Sequence, residues 1–325
     1  MKILITGGAG YIGSHIVRLL EKEHEIVVYD NLVNGHKESI PNNIKLVTGC
    51  LSDKELLDKT FSEEKFDGVI HTAGFIEAGE SMTNPGKYFW NNTTNGLNLL
   101  NIMVKHNVKK IVYASTAAVY GNPKTLPIPE DAEKNPQNYY GLSKLMFEQI
   151  MDTFKVHGIQ SITLRFFNVS GAAFGIGEHH EPETHLIPLI LQVPLGKRKE
   201  IKIYGTDYET KEGTCIRDYI HVVDIAKAHK LALEALMKGK EGKFNLGSGG
   251  GYSVREVIEA ARGVTEHPIP AVETERRAGD PAVLIASNEK ARKELGWQPE
   301  IGLNEIIRSA WEWHRNNPDG FNKKS

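Results

Sequence analysis

Residues 2–13 read Lys2-Ile3-Leu4-Ile5-Thr6-Gly7-Gly8-Ala9-Gly10-Tyr11-Ile12-Gly13, a short apolar run that breaks into closely spaced glycines. A helical pattern follows through His15, Ile16, Leu19 and Leu20. In the order strand, glycine loop and helix, the motif points to a dinucleotide. The glycines let the backbone approach a pyrophosphate, and the free N–H groups at the helix start meet its charge. A glycine-rich turn with no ligand has the same composition, so the next segment decides. Glu25-Ile26-Val27-Val28-Tyr29 reads as a second strand ending at Asp30. A carboxylate there can accept hydrogen bonds from the adenosine ribose hydroxyls and repels a 2′-phosphate, which favours NAD over NADP.

The alternation continues outward from this start. Residues 44–48, 68–71, 110–114 and 161–165 read as strands, with helical patterns over 53–61, 88–104 and 137–154. This is an α/β pattern, a Rossmann-type doubly wound parallel sheet with right-handed crossovers. Ligands bind such sheets outside the carboxyl ends of the strands, where Ser115-Thr116 and Phe166-Phe167-Asn168 fall. Past residue 170 the pattern loosens. A loop over 172–184, a short helix over 185–195, a strand over 201–204 and helices over 222–237 and 253–262 make a smaller α/β C-terminal lobe. Phe244-Asn245-Leu246-Gly247 joins the last two helices. The expected division is 1–168 for the dinucleotide and 169–325 for the substrate, with segments crossing back between the two.

Within the 137–154 helix, Tyr140 and Lys144 are four residues apart and share a face. An ammonium beside a phenol stabilises the phenolate and lowers its pKa toward the working range, which suits a residue that takes a proton from a substrate hydroxyl and returns it. Tyr120 and Lys124 have the same spacing, but Gly121 and Pro123 break the turn between them, so Tyr120 is expected in a turn. Arg217 precedes Asp218, and Arg276-Arg277 precede Gly279-Asp280-Pro281. Loop arginines suit bidentate contact with phosphate oxygens.

A net charge of -2 and a pI near 6.7 leave no electrostatic footprint for nucleic acid or an anionic membrane. Hydrophobic and charged fractions of 40% and 25% are those of an ordinary globular chain. Cys50 and Cys215 offer no disulfide framework, and His179-His180, flanked by glycines and Pro182, reads as a solvated loop with no metal. No apolar run reaches membrane-spanning length, so a cytoplasmic location is the expectation.

The sequence resembles the extended short-chain dehydrogenase/reductase family, and within it the nucleotide-sugar 4-epimerases. The resemblance is carried by Ile5 to His15, Asp30-Asn31-Leu32-Val33-Asn34-Gly35, Ala73-Gly74 with Gly79-Glu80-Ser81, and Tyr140-Gly141-Leu142-Ser143-Lys144. Its most specific block runs from Tyr204-Gly205-Thr206-Asp207-Tyr208 through Gly213-Thr214-Cys215-Ile216-Arg217-Asp218-Tyr219-Ile220-His221-Val222. Together they cover the chain to about Pro299. The resemblance implies NAD-dependent 4-epimerisation of UDP-hexoses, UDP-glucose and UDP-galactose, through a 4-keto sugar. Tyr140 is the implied acid/base, Lys144 holds the nicotinamide ribose, and Thr116 hydrogen-bonds the reacting hydroxyl. Implied cofactor contacts are Gly7, Gly10, Tyr11, Ile12, Gly13, Asp30, Asn31, Asn34, Gly35, Leu51, Thr72, Ala73, Gly74, Asn91, Ser115 and Phe166. Implied substrate contacts are Asn168, His185, Leu186, Leu284 and the diphosphate-binding Arg217 and Arg277. A homodimer through the 88–104 and 137–154 helices is implied too.

Departures from the family pattern narrow the reading. Cys50 stands where many relatives have an Asp at the adenine, Ile76 where some have a Lys, His185 where an Asn is common, and Phe166 where a Tyr is frequent. Leu284 stands where a Tyr closes the sugar pocket of restricted members, so the N-acetylated pair UDP-GlcNAc and UDP-GalNAc is expected to be accepted as well. A 4,6-dehydratase needs an acidic pair after the threonine, and a UDP-glucuronate decarboxylase a Glu there, but Ala117-Ala118 follow Thr116. Epimerases of UDP-xylose or UDP-glucuronate and a non-catalytic NAD-binding regulator stay open.

Overall fold

The computed structural model describes residues 1–277 and 280–321; Gly279 lies outside them. Six strands come first: β1 (Lys2–Thr6), β2 (Glu25–Asp30), β3 (Lys45–Thr48), β4 (Gly68–His71), β5 (Lys110–Thr116) and β6 (Gln160–Phe166). The helices among them are α1 (Tyr11–Leu20), α2 (Lys54–Glu64), α3 (Ala78–Thr83), α4 (Pro85–Tyr88), α5 (Asn95–Lys105) and α6 (Tyr139–Thr153). The second half adds β7 (Asn168–Ser170), α7 (Leu186–Leu191), β8 (Ile201–Tyr204), β9 (Ile216–Arg217), β10 (Tyr219–His221) and α8 (Val222–Met237). It ends with β11 (Gly242–Leu246), β12 (Tyr252–Ser253), α9 (Val254–Thr265), β13 (Ala271–Thr274), β14 (Val283–Leu284), α10 (Glu289–Leu295) and α11 (Leu303–Asn316).

Among the described residues, seven parallel strands form the main sheet in the order β11-β6-β5-β4-β1-β2-β3. Alternation along β1 shows how both faces are covered. Ile3 and Ile5 pack with Ile16 and Leu20 of α1 and with Ile225 and Leu233 of α8, whereas Leu4 points the other way, toward Leu57 of α2, Leu99 of α5 and Phe147 of α6. Covered on both sides, β1, β2 and β5 carry apolar runs, whereas β6 alternates Ile162 and Leu164 with the buried Thr163 and Arg165. A third core, built around Ile190, Ile203, Ile258, Ile307 and Trp311, belongs to the smaller lobe.

Two elements differ from the sequence reading. The segment between the 222–237 and 253–262 helices is β11, which pairs with β6 from Gly242↔Ile162 to Leu246↔Phe166. Its residues read only as a connector because the partner strand is 80 positions away in sequence. The single helix expected over 88–104 is instead α4, a π-helical turn over Phe89–Thr94, and α5. The wider turn falls on a polar run, Asn91-Asn92-Thr93-Thr94-Asn95, and π turns are frequent at functional sites. Tyr120 ends the turn after β5, as expected, and Lys124 pairs with Glu133 instead.

Candidate active site

Helix α6 carries Tyr140 and Lys144, the candidate reacting residues. Asn138 caps it by accepting from Gly141 N at 2.8 Å, which sets Tyr140 in the first turn. Gly141 is required by a close approach, since a Cβ there would stand 2.7 Å from Ala118 O. The approach brings Tyr140 to the end of β5, where Thr116 hydrogen-bonds it. The Thr116 hydroxyl oxygen accepts from Ala118 N at 3.1 Å, leaving its proton to donate to the phenol. Lys144 is buried, donates to Ala114 O at 2.8 Å and lies 4.9 Å from the centre of the Tyr113 ring.

The electrostatics correct one expectation. Burial pushes the Tyr140 phenol up to about 12, with Thr116 opposing the rise and Glu77 adding to it. Burial also lowers Lys144 to about 8, against Glu148, which raises it. Lys144 was expected to pull Tyr140 toward neutrality. Their spacing does put them on one helix face, but the ammonium is tied to the Ala114 carbonyl and desolvation of the phenol outweighs any help from it.

A groove runs along the carboxyl ends of the strands, and most of the expected dinucleotide contacts line it. Gly7 and Gly10 come from the glycine loop; Asp30, Asn31, Asn34 and Gly35 from the end of β2; Leu51 from beyond β3. Thr72, Ala73 and Gly74 follow β4, and Asn91 comes from the π turn. Gly7 has φ +74°, and a Cβ on it would be driven into the Thr72–Ala73 backbone. Asp30 is locked in place by Ala9 N at 3.0 Å and Leu32 N at 2.8 Å. Cys50 lines the same wall, where Asn95 donates to its sulfur at 3.7 Å. Gly74 joins groove to helix, because a Cβ there would lie 3.2 Å from Lys144 Nζ.

Other expected contacts lie outside that lining. Tyr11 donates to Gly171 O at 2.6 Å, Ile12 packs on the sheet core, and Gly13 abuts the Gly7 carbonyl. Ser115 turns its hydroxyl to Glu148, 2.6 Å away, and Phe166 packs on the core facing His229. On the substrate side, β14 pairs with β9 so that Leu284 sits opposite Arg217, and Leu284 packs against the cluster holding Ala117 and Val119. Arg217 pairs with Asp280 at 3.1 Å, and Asn168 donates to Asp218 O at 3.0 Å. Arg277 is exposed, with its guanidinium 4.0 Å from the centre of the Tyr204 ring. Leu186 packs at the edge of the third core, and His185 faces two carboxylates, Glu178 and Glu183. His179-His180 was expected to lie in a solvated loop. His179 and His180 are instead half-buried, and His180 lies inward with Glu178, Glu183 and His185, while Glu181, Pro182 and Thr184 stay exposed.

Several supporting residues escaped the sequence reading. Asn92 accepts from Phe75 N at 2.9 Å and donates to Ser143 at 3.0 Å, fixing the loop after β4 against α6. The polar run inside an otherwise apolar helix was the available signal. Asp218 accepts from Ser248 N and Ala286 N, which ties three loops together behind Arg217. Beneath the site, the buried Arg165 pairs with buried Glu148 at 2.6 Å and donates to Tyr120 at 2.7 Å.

The family model described as the NAD dependent epimerase/dehydratase family matches residues 3–247. The chain belongs to this family. A UDP-glucose 4-epimerase of Lacticaseibacillus casei is 49% identical over 331 residues, covering 100% of both chains. A crystal structure of a UDP-glucose 4-epimerase superposes with a TM-score of 0.97 at 46% identity, covering 99% of this chain and 100% of that one. The Bifidobacterium longum UDP-glucose 4-epimerase in complex with NAD+ and UDP gives a TM-score of 0.92 at 40% identity, covering 98% and 100%. This epimerase-family chain has residues that fit NAD. The Gly7 cradle excludes any side chain, Asp30 is held at the end of β2, and the groove leads to Lys144 beside Gly74. Among the described residues, no helix is long and apolar enough to cross a membrane.

Proposed function

We propose that this protein is an NAD-dependent isomerase that interconverts UDP-glucose and UDP-galactose by inverting C4 through a transient 4-keto sugar. The observation that carries the reading is the Thr116–Tyr140–Lys144 cluster standing at the end of a dinucleotide groove. When bound, NAD supplies the acceptor for the C4 hydride and later its donor. Tyr140 takes the O4 proton as a phenolate and returns it on the other face. The Thr116 hydrogen bond opposes the burial that disfavours that phenolate. Thr116 also orients the reacting hydroxyl, and Lys144 holds the nicotinamide ribose. Residues 1–168 carry the NAD site and 169–325 the UDP-sugar site, with β11 returning to the first. Arg217 and Arg277 hold the diphosphate, and Asn168, His185 and Leu186 the rest of the nucleotide sugar. Gripping the remote nucleotide leaves the sugar loose enough to turn over, a use of binding energy away from the reacting atom.

Leu284 supports acceptance of the N-acetylated pair, because a leucine beside Arg217 leaves room a tyrosine would fill. Exposed Trp90, Tyr139 and Met146 on the packed α4–α6 face support a homodimer. A role in galactose metabolism and a cytoplasmic location complete the reading. The test is conversion of UDP-galactose by purified protein, first without and then with added NAD. UDP-glucose is expected to form, and UDP-GlcNAc to form from UDP-GalNAc. No turnover of any UDP-hexose with NAD present, alongside turnover of UDP-xylose or UDP-glucuronate, would move the substrate elsewhere. Activity on UDP-galactose alone would remove the Leu284 argument.

A further inference from the structure

The loop between β7 and α7 carries four donors outside the redox site. Glu178, His180, Glu183 and His185 each offer one nitrogen or oxygen, and these four atoms all lie within 4.8 Å of one another. His185 Nδ1 is 2.9 Å from Glu178 Oε1 and 3.1 Å from Glu183 Oε1, while His180 Nδ1 is 3.2 Å from Glu178 Oε1. An ion with four donors at about 2.0–2.1 Å in a tetrahedron holds them about 3.3 Å apart. The three spacings are close to that edge.

The cluster can be held by protons on the imidazoles or by a cation, and the geometry at His185 favours the cation. One imidazole nitrogen, His185 Nδ1, faces two carboxylate oxygens, yet it carries at most one proton. His180 Nδ1 is buried and forms no hydrogen bond despite its nearness to Glu178. Two carboxylates with side chains 5% and 8% exposed lie together, so the cluster needs positive charge, from protons on the two imidazoles or from a bound cation. A divalent ion bound to two neutral imidazoles and two carboxylates balances the charge and satisfies every donor atom. Mixed nitrogen and oxygen ligands in a four-donor set suit zinc and similar transition ions, whereas magnesium and calcium seek all-oxygen sites.

We propose that Glu178, His180, Glu183 and His185 bind one zinc-class divalent cation. The ion is structural. It knots the loop that receives the Tyr11 hydroxyl at Gly171 and that delivers α7 one residue after His185, so it braces the glycine-loop helix against the smaller lobe. The site assigns the His185 side chain to the ion and leaves its main chain to the proposed nucleotide contact.

The experiment is metal analysis of the full-length protein, purified from zinc-supplemented cells and desalted into zinc-free buffer. About one zinc per chain is expected. Dialysis against a chelator should lower the thermal midpoint, and added Zn2+, not Mg2+, should restore it. His180→Asn and Glu183→Gln should each weaken zinc binding by about a hundredfold while keeping bound NAD and the native circular dichroism. Where a variant fails to fold, cobalt replacement in the wild-type protein reads the same site, with tetrahedral d–d bands expected. An ion-pair staple without metal predicts no retained zinc and a midpoint unmoved by chelator or zinc. That result overturns the proposal, as does equal restoration by Mg2+, octahedral cobalt bands, or undiminished zinc in both folded variants.

Discussion

Tyr140 works against its own surroundings. Burial holds its phenol up at about 12, and the phenolate that the proposed mechanism needs is favoured by the Thr116 hydrogen bond. Thr116→Ala removes a hydrogen bond to the charged form, which raises the phenol further. A charge-assisted hydrogen bond contributes about 1.5–3 kcal/mol, and one pKa unit is about 1.4 kcal/mol. The rising limb of the kcat pH profile should therefore move up by about one unit or more in T116A; an unmoved limb would place Thr116 outside the proton path. Tyr140→Phe deletes the proposed proton carrier and leaves the groove unchanged. Its kcat should fall by about a thousandfold while bound NAD, read by absorbance of the denatured protein, stays stoichiometric. The residue types and spacing of this cluster were legible because Thr116, Tyr140 and Lys144 stand in recognisable motifs. The pKa balance was not, since desolvation depends on what packs over the phenol and on Lys144 being tied to Ala114.

Helix α6 is held at both levels of the site, by its cap and by the pair below it. Asn138 accepts from Gly141 N, and Glu148, one turn beyond Lys144, pairs with Arg165 on β6 and takes the Ser115 hydroxyl. Glu148→Gln leaves the Arg165 charge buried without its partner. Breaking a buried pair from one side costs about 3–5 kcal/mol, so denaturant titration should show a loss of that order, against about 1 kcal/mol for Asn138→Ala. A loss under 1 kcal/mol in E148Q would mean that the buried Arg165 charge does not depend on Glu148. Strands such as β1, β4 and β5 were legible because burial on two faces demands apolar runs that composition alone reveals. The π turn before α5 was not, because a wider hydrogen-bond ring has no signature in residue type. The turning inward of Glu178 and Glu183 was equally hidden: a carboxylate in a glycine-flanked loop reads as solvated until its neighbours are known.

At the scale of the whole molecule, three imidazoles near the interface of α1 and α8 set an acid limit. Burial lowers His15, His221 and His229 to about 4. His15 and His229 each contact a backbone carbonyl through Nδ1, and their Nε2 atoms are buried without a partner. The unfolded chain protonates these groups near 6.5, above their folded values, so between about pH 6.5 and 4 the unfolded state binds more protons. Their stabilising effect is complete above about pH 6.5 and is lost as the pH falls toward 4. His229→Leu should shrink the drop in unfolding free energy between about pH 7.5 and pH 5 by about 2 kcal/mol; an unchanged drop would assign the acid sensitivity elsewhere. The main sheet also has a direction in time. Its edge strand β11 ends at Leu246, whereas its neighbour β6 ends at Phe166. A ribosome adding about 5–20 residues per second leaves β6 an open edge for roughly 4–16 s. During that interval the nascent chain exposes the unpaired edge of β6, so the speed of translation through the second half sets how long that edge stays open.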